Sequence, residues 1–396
     1  MSDNPQPAVI SLLSDLVRLN SINSHYPGGP GEREMATFVR GFLDGIGLET
    51  WVQEPLPGRP NVIARLPGKD PTRRLILEAH LDTVSVTGMT IPPFEPVITD
   101  GRLHGRGSCD TKAGLAGMMQ ALAGIVKEGL TPPCEIWLAA VVDEEHTFRG
   151  VLSLCDQLLE ERNHPGTRVS CAAIVAEPTE LRLVTANKGV LRWRIHTRGT
   201  AAHSSKPHLG HNAIEDMALI ILALKEHHSA LAGRPAHPLV GAPTCSVGLI
   251  EGGVQVNFVP DHCVIELDRR LLPGESADAA MAEYDVLLKG LAERHPGLAG
   301  EIEAPYIADE AMETPADSPV ATTAAKVLRD LGLDGASHGV PFGCDATKLS
   351  RIGVPSLIFG PGSIDQAHGA IEYVEIAQVL KAEAFYRRMI LGYTGN

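Results

Sequence analysis

Apolar runs that end abruptly on acidic or histidine residues recur along this chain. Leu75-Ile76-Leu77-Glu78-Ala79 reads as a buried strand that delivers His80 and Asp82 at its carboxyl end. The run over 136–142 leads straight into Asp143-Glu144-Glu145, and the run over 172–176 into Glu177-Pro178. A fourth, over 356–359, precedes a Gly-Pro-Gly turn and then His368. Four predicted strands therefore end near side chains able to bind metal. Asp110 differs, because it follows Gly105-Arg106-Gly107-Ser108-Cys109 and opens a helix predicted from Lys112 to about Glu128.

The spacing of apolar positions also predicts helices over 8–20 and 31–46, the second stopping at Gly47, and strands over 49–52, 61–66 and 74–79. Strand–helix alternation through Glu177 predicts an α/β layer with helices on both faces of a sheet. Near Asn187 the character changes. A strand over 190–197, a helix over 212–227, strands over 244–250 and 261–267 and a helix over 277–293 form a separate α+β unit. After about Ala304 the chain is expected to return to the first sheet, with a helix over 318–331 and the strand before His368. The expected division is thus 1–187, 188–304 and 305–396.

The chemistry suggested by the strand ends is that of two divalent metals. A catalytic zinc keeps about three protein ligands, drawn here from imidazole and carboxylate, and leaves a position for water. Two such ions roughly 3.5–4 Å apart can share a carboxylate and a water whose pKa falls towards ~7. The residues divide into His80, Asp110 and Glu177 on one metal, and Asp110, Glu145 and His368 on the other, with Asp110 as the bridge. Asp82 is then expected to accept the second ring N–H of His80. Glu144 is left to move a proton from water to a leaving nitrogen. Any one of these motifs alone is more often a solvated turn than a ligand set; their order at successive strand ends carries the reading.

With these motifs in place, the chain resembles the dinuclear zinc amidohydrolases and exopeptidases that include acetylornithine deacetylase, succinyl-diaminopimelate desuccinylase, aminoacylase and glutamate carboxypeptidase. The matching stretches are Glu78-Ala79-His80-Leu81-Asp82-Thr83, Gly105 through Gly114, Asp143-Glu144-Glu145, Ala176-Glu177-Pro178-Thr179 and Lys188-Gly189. Further matches are Gly199 through Ser205, Gly252-Gly253 with Asn257, Arg270-Leu271-Leu272-Pro273-Gly274-Glu275, and Ala367-His368. The resemblance implies a zinc-exopeptidase-like catalytic domain with a mixed sheet, into which a smaller α+β lid and dimerisation domain is inserted. It implies the same metal roles, and a homodimer in which His203 donates a hydrogen bond to the oxyanion in the neighbouring subunit's site. Arg270 and Asn257 would hold a substrate carboxylate, since a planar guanidinium matches that geometry. The expected substrate is a small N-acylated amino acid, placing the reaction in amino-acid metabolism, with a dipeptidase or carboxypeptidase of the same family as the alternative. Zinc is the expected metal; cobalt and manganese also suit a mixed N/O site. Gly343-Cys344-Asp345-Ala346-Thr347 resembles a site loop whose sequence varies with substrate.

Composition narrows the setting. A net charge of −14 and a pI of about 5.6 argue against nucleic acid or an anionic membrane as partner. No stretch approaches the ~18 apolar residues of a membrane span, and residues 1–7 lack the basic and apolar regions of a signal peptide, so a cytoplasmic enzyme is expected. The seven cysteines are scattered and odd in number, which indicates neither a disulfide framework nor a cysteine zinc site. Cys109 and Cys344, near the motifs, read as small buried residues rather than nucleophiles.

Two other classes compete. Gly335-Ala336-Ser337-His338-Gly339 matches the Gly-x-Ser-x-Gly elbow of serine hydrolases, with Asp345, Asp365 and His368 following in a plausible order. That elbow needs a strand before the serine and a helix after it, whereas a helix and Gly332-Leu333-Asp334-Gly335 precede Ser337. A metal-binding protein without turnover would need the ligands but not Glu144, whose presence favours an enzyme.

Overall fold

Strands that are apolar on both faces must be covered on both sides, and parallel strands send all their carboxyl ends to one edge. The computed structural model describes residues 6–164 and 169–395; residues 1–5, which hold most of the polar N-terminal stretch, 165–168 and 396 lie outside the described residues. Asp70–His80 is buried from Arg74 onward and pairs in parallel with Cys134–Val141 on one side and Ser170–Val175 on the other. Ser356–Ile358 adds in parallel beside Ser170–Val175. These four runs form the middle of a mixed sheet of eight strands. Its order is Glu49–Leu56, Arg59–Leu66, Cys134–Val141, Asp70–His80, Ser170–Val175, Ser356–Ile358, Leu183–Asn187 and Ser337–Val340.

Period-two alternation sorts the sheet's side chains. Leu75, Leu77 and Ala79 join a core built with the helices Ala8–Arg18, Arg33–Gly45, Lys112–Lys127, Pro319–Asp330 and Ile376–Gly392. Arg149–Asn163 and Ala346–Arg351 pack on each other and on the sheet. The helix Lys112–Lys127 is rich in Ala, Gly and Met and is buried along most of its length. Its Gly114 permits that approach, since a Cβ there would lie 2.6 Å from the Ala176 Cβ.

The chain divides into two units. The first comprises the chain up to Thr185, Thr314–His338 and the residues from Cys344 onward; the second is Ala186–Glu313 with Gly339–Gly343. The second unit therefore extends past the expected boundary at 304, because Ile307–Asp309 pairs with Gly189–Arg198, as Gly300–Ile302 does. Its antiparallel sheet runs Thr244–Gly252, His262–Leu271, Gly189–Arg198. Leu191, Trp193 and Ile195 face a core with the helices Ala213–Ala232 and Ala277–Arg294. The alternate positions Arg192 and Arg194 pair with Asp268 and Glu266. Asn212 and Ser276 cap the two helices through their side-chain oxygens.

Candidate metal centre

The four parallel strands place their following residues along one edge of the first unit. His80 ends its strand, 2% exposed. Its Nε2 lies 3.0 Å from Asp110 Oδ1, and its Nδ1 lies 3.0 Å from the main-chain oxygen of Asp82. The Asp82 carboxylate is farther from Nδ1, at 3.6 Å. The main-chain carbonyl of Asp82 is thus the nearer partner of the ring, with its carboxylate at ion-pair distance. The carboxylate also accepts the N–H groups of Glu144 (3.1 Å) and Glu145 (3.0 Å).

Asp110 spans two imidazoles, with Oδ1 towards His80 and Oδ2 3.2 Å from His368 Nε2. His368 Nε2 is also 3.2 Å from Glu145 Oε1. Among the described residues, three groups bring one donor atom from each member within 4.8 Å of the others: His80, Asp110, Glu177; Asp110, Glu145, His368; and His80, Glu144, Glu145. The first two are the sets expected from the sequence. The third brings the expected base, Glu144, within the same space.

The electrostatics of the cluster call for positive charge. Burial, with repulsion from Asp110, raises the proton affinity of Glu145 and Glu177. Burial raises that of Glu144, with Glu177, Asp345 and Glu145 adding to it and His80 opposing. His368 is pushed up to about 10 by its hydrogen bonds to Asp110 and Glu145. Burial disfavours a charged His80, but the bonds to Asp110 and Asp82 outweigh it. Asp110, despite burial, is held well below the usual carboxylate range by His368 and His80. Two imidazoles and several crowded carboxylates facing one space suit a pair of divalent cations.

Sequence reasoning missed Glu372. It is fully buried, receives Arg106 Nη1 at 2.6 Å, and accepts the N–H groups of Cys109 (2.9 Å) and Asp110 (3.1 Å). It thus fixes the loop that carries Asp110. Only Arg106, in the Gly-Arg-Gly motif, hinted at an acidic partner.

The remaining expected residues lie in the second unit. His203 is in the two-residue strand Ala202–His203, which pairs with Phe258–Val259. Its Nδ1 accepts the Ser205 N–H at 3.1 Å and lies 2.8 Å from Ser205 Oγ. That bond leaves the ring proton on Nε2, a donor position. Asn257 is exposed beside it, its carbonyl accepting the Ser204 N–H at 3.0 Å. Arg270 directs Nε to Asp268 Oδ1 at 2.7 Å and Nη1 to the Pro341 oxygen at 3.4 Å. Arg269 is buried on Glu275 and Glu283.

Ser337 begins the strand Ser337–Val340, and the next helix starts only at Ala346, so the elbow geometry is not formed. Its would-be histidine, His368, lies on Asp110 and Glu145, and His338 pairs with Asp334. Burial pushes the thiols of Cys109 and Cys344 up, against a nucleophilic role. Among the described residues, no helix is long and apolar enough to cross a membrane.

Comparison with known proteins bears on the same centre. The chain is 30% identical over 410 residues to a probable carboxypeptidase of Aspergillus terreus, covering 98% of this chain and 87% of that protein. It is 30% identical over 380 residues to the acetylornithine deacetylase of Pectobacterium carotovorum, covering 93% of each. An M20 family metallo-carboxypeptidase from Sulfolobus solfataricus, Sso-CP2, has the same fold, with a TM-score of 0.75 at 19% identity over 98% of this chain and all of that one. Peptidase family M20/M25/M40 matches residues 76–392, and the chain therefore belongs to that family of hydrolases.

Proposed function

We propose that the chain hydrolyses the amide bond of an N-acyl amino acid, as the acetylornithine deacetylase relative suggests. One observation carries this reading: Asp110 faces His80 and His368 with one oxygen each, Glu177 and Glu145 complete the two donor sets, and Glu144 stands beside them. His80, Asp110 and Glu177 would hold one divalent cation and Asp110, Glu145 and His368 the other, zinc first, with cobalt or manganese also suited to the donors. Such cations, when bound, polarise a carbonyl and make water a competent nucleophile near neutral pH.

The chain's own residues supply the rest. Glu144, whose proton affinity burial raises, takes a proton from the attacking water and gives it to the departing amine nitrogen. His203, with its proton on Nε2, donates to the oxygen that gains charge, in the site of a neighbouring copy. Arg270 and Asn257 hold the substrate carboxylate. The outer edge of Thr244–Gly252 in the second unit's sheet, with Leu249 64% exposed, supports a homodimer formed through that edge. Seven free cysteines support a cytoplasmic setting. The Aspergillus terreus relative keeps a second reading in view, a carboxypeptidase or dipeptidase using the same carboxylate grip.

Amine release from N-acetyl and N-succinyl amino acids, dipeptides and their amides, with chelated protein before and after added zinc, tests this. Zinc-restored release on acylated amino acids supports the deacylase, and release confined to dipeptides selects the second reading. Glu144→Gln should retain metal yet turn over about 10²–10⁴-fold more slowly. Loss of metal in that variant would show Glu144 to be a ligand, as the third donor group allows.

A further inference from the structure

Asn23 lies in the loop between the helices Ala8–Arg18 and Arg33–Gly45, is fully buried, and is marked by no motif. Its Nδ2 donates to Asp82 Oδ2 at 2.8 Å and to Asp143 Oδ1 at 3.0 Å, while its Oδ1 accepts the His25 N–H at 3.0 Å. Both amide hydrogens are therefore committed to carboxylates, which fixes which end of the amide faces them.

What Asn23 touches is the brace of the candidate base. Asp82 Oδ1 accepts the N–H of Glu144, and Oδ2 accepts the N–H of Glu145 together with the Asn23 amide. The rotation of one carboxylate thus sets the positions of two successive peptide groups. Asp143, just before them, takes a left-handed φ of 71° and has holders of its own: Arg59 Nη2 at 2.9 Å from Oδ1, and the Thr147 hydroxyl on Oδ2. Its N–H donates to Glu32 Oε1 at 3.3 Å, and Glu32 is itself gripped by Arg59. Without Asn23, Asp143 would keep these partners. Asp82 Oδ2 would keep only the Glu145 N–H.

We propose that Asn23 is a positioning residue that orients the Asp82 carboxylate and, through it, the Glu144–Glu145 turn. The inference rests on the reading of Glu144 as proton carrier and Glu145 as metal donor. A carboxylate deprived of one of its donors can turn about its Cβ–Cγ bond, and the peptide groups hung on it move with it. Reacting groups lose rate steeply with displacements of about 1 Å.

The test compares Asn23→Ala and Asn23→Ser, alone and combined with Asp82→Asn, in kcat and KM, in thermal unfolding, and in calorimetric titration of the chelated protein with Mn2+ alone. Asn23→Ala should lower kcat by roughly ten- to a hundredfold and weaken Mn2+ binding about tenfold, the usual loss when a group orienting metal ligands is removed. KM should stay within about twofold, since no substrate contact is lost. Asn23→Ser, which keeps one donor and is the milder change should the alanine variant fold poorly, should fall between. Combined with Asp82→Asn, neither should add more than about a twofold further loss, because the group through which Asn23 acts is gone. Full additivity with Asp82→Asn, or loss of activity only in proportion to the unfolded fraction, would assign Asn23 to packing and overturn the proposal. Should Glu144→Gln keep its turnover, the reading of the base fails, yet the Mn2+ titration still decides: unchanged affinity in Asn23→Ala overturns the proposal, and a loss absent over Asp82→Asn sustains it.

Discussion

Arg270 is held by a neighbour chemically like its proposed ligand. Asp268 Oδ1 takes its Nε at 2.7 Å, and Oδ2 lies 3.4 Å from Nη2 and 2.7 Å from Arg192 Nε. A substrate carboxylate must share or displace Asp268, so the net gain is that of one charge-assisted contact, about 1.5–3 kcal/mol. We therefore expect N-acyl amino-acid amides to be cleaved with kcat/KM at least roughly tenfold below the corresponding acids, and Arg270→Lys to erase most of that preference. Equal rates on acid and amide would leave Arg270 as a member of the sheet's ion-pair ladder alone.

Among the elements, the helix Lys112–Lys127 helps to place the site, because it starts directly after the Asp110 loop and closely approaches Ala176, the residue before Glu177. At Gly114 a methyl group would enter at 2.6 Å from Ala176, whereas at Gly41, on the helix Arg33–Gly45, nothing lies within 4 Å. Gly114→Ala should therefore destabilise the protein by about 1–3 kcal/mol and weaken metal uptake. Gly41→Ala should stabilise it by up to about 1 kcal/mol. Denaturant unfolding of both variants checks the contrast; equal effects would mean that the helix shifts freely. Three of the four central strands were legible in the sequence because each is a short apolar run ending on a charged or imidazole group; the fourth, Ser356–Ile358, was legible as an apolar run before a Gly-Pro-Gly turn, with His368 nine positions beyond Phe359. Helices Arg149–Asn163, Ala346–Arg351 and Ile376–Gly392 and the strand Leu183–Asn187 had no such punctuation. Glu372 and Asn23 were illegible for a different reason: each is an ordinary polar residue whose partners lie far away along the chain, Asp110 at one remove of 262 positions and Asp143 at 120. Only the three-dimensional pairing gives them a role.

For the molecule as a whole, stability should carry an acid limb that comes from the second unit and not from the candidate metal centre alone. His228, on the helix Ala213–Ala232, has its proton affinity lowered to about 4 by burial, with His227 and Arg269 adding repulsion. The folded state favours the neutral ring, while the unfolded chain binds a proton near the ordinary value of about 6.5. The unfolded state therefore holds more protons between those values, and stability, full above about pH 6.5, falls as pH drops towards 4. His228→Gln should flatten that limb in denaturant midpoints measured from pH 7 to 4; an unchanged slope would place the sensitivity elsewhere.

The strand Ser356–Ile358 lies between Ser170–Val175 and Leu183–Asn187, two strands that follow each other closely in sequence. On the ribosome, this means that the growing chain must keep a gap open in its main sheet until residue 356 emerges, a wait of roughly ten to thirty seconds at ordinary elongation rates. His368 arrives later still. A chain cut short by a premature stop would thus expose two inner strand edges while already presenting most of the residues we assign as cation donors, which makes it a target for chaperones and for aggregation rather than a smaller hydrolase.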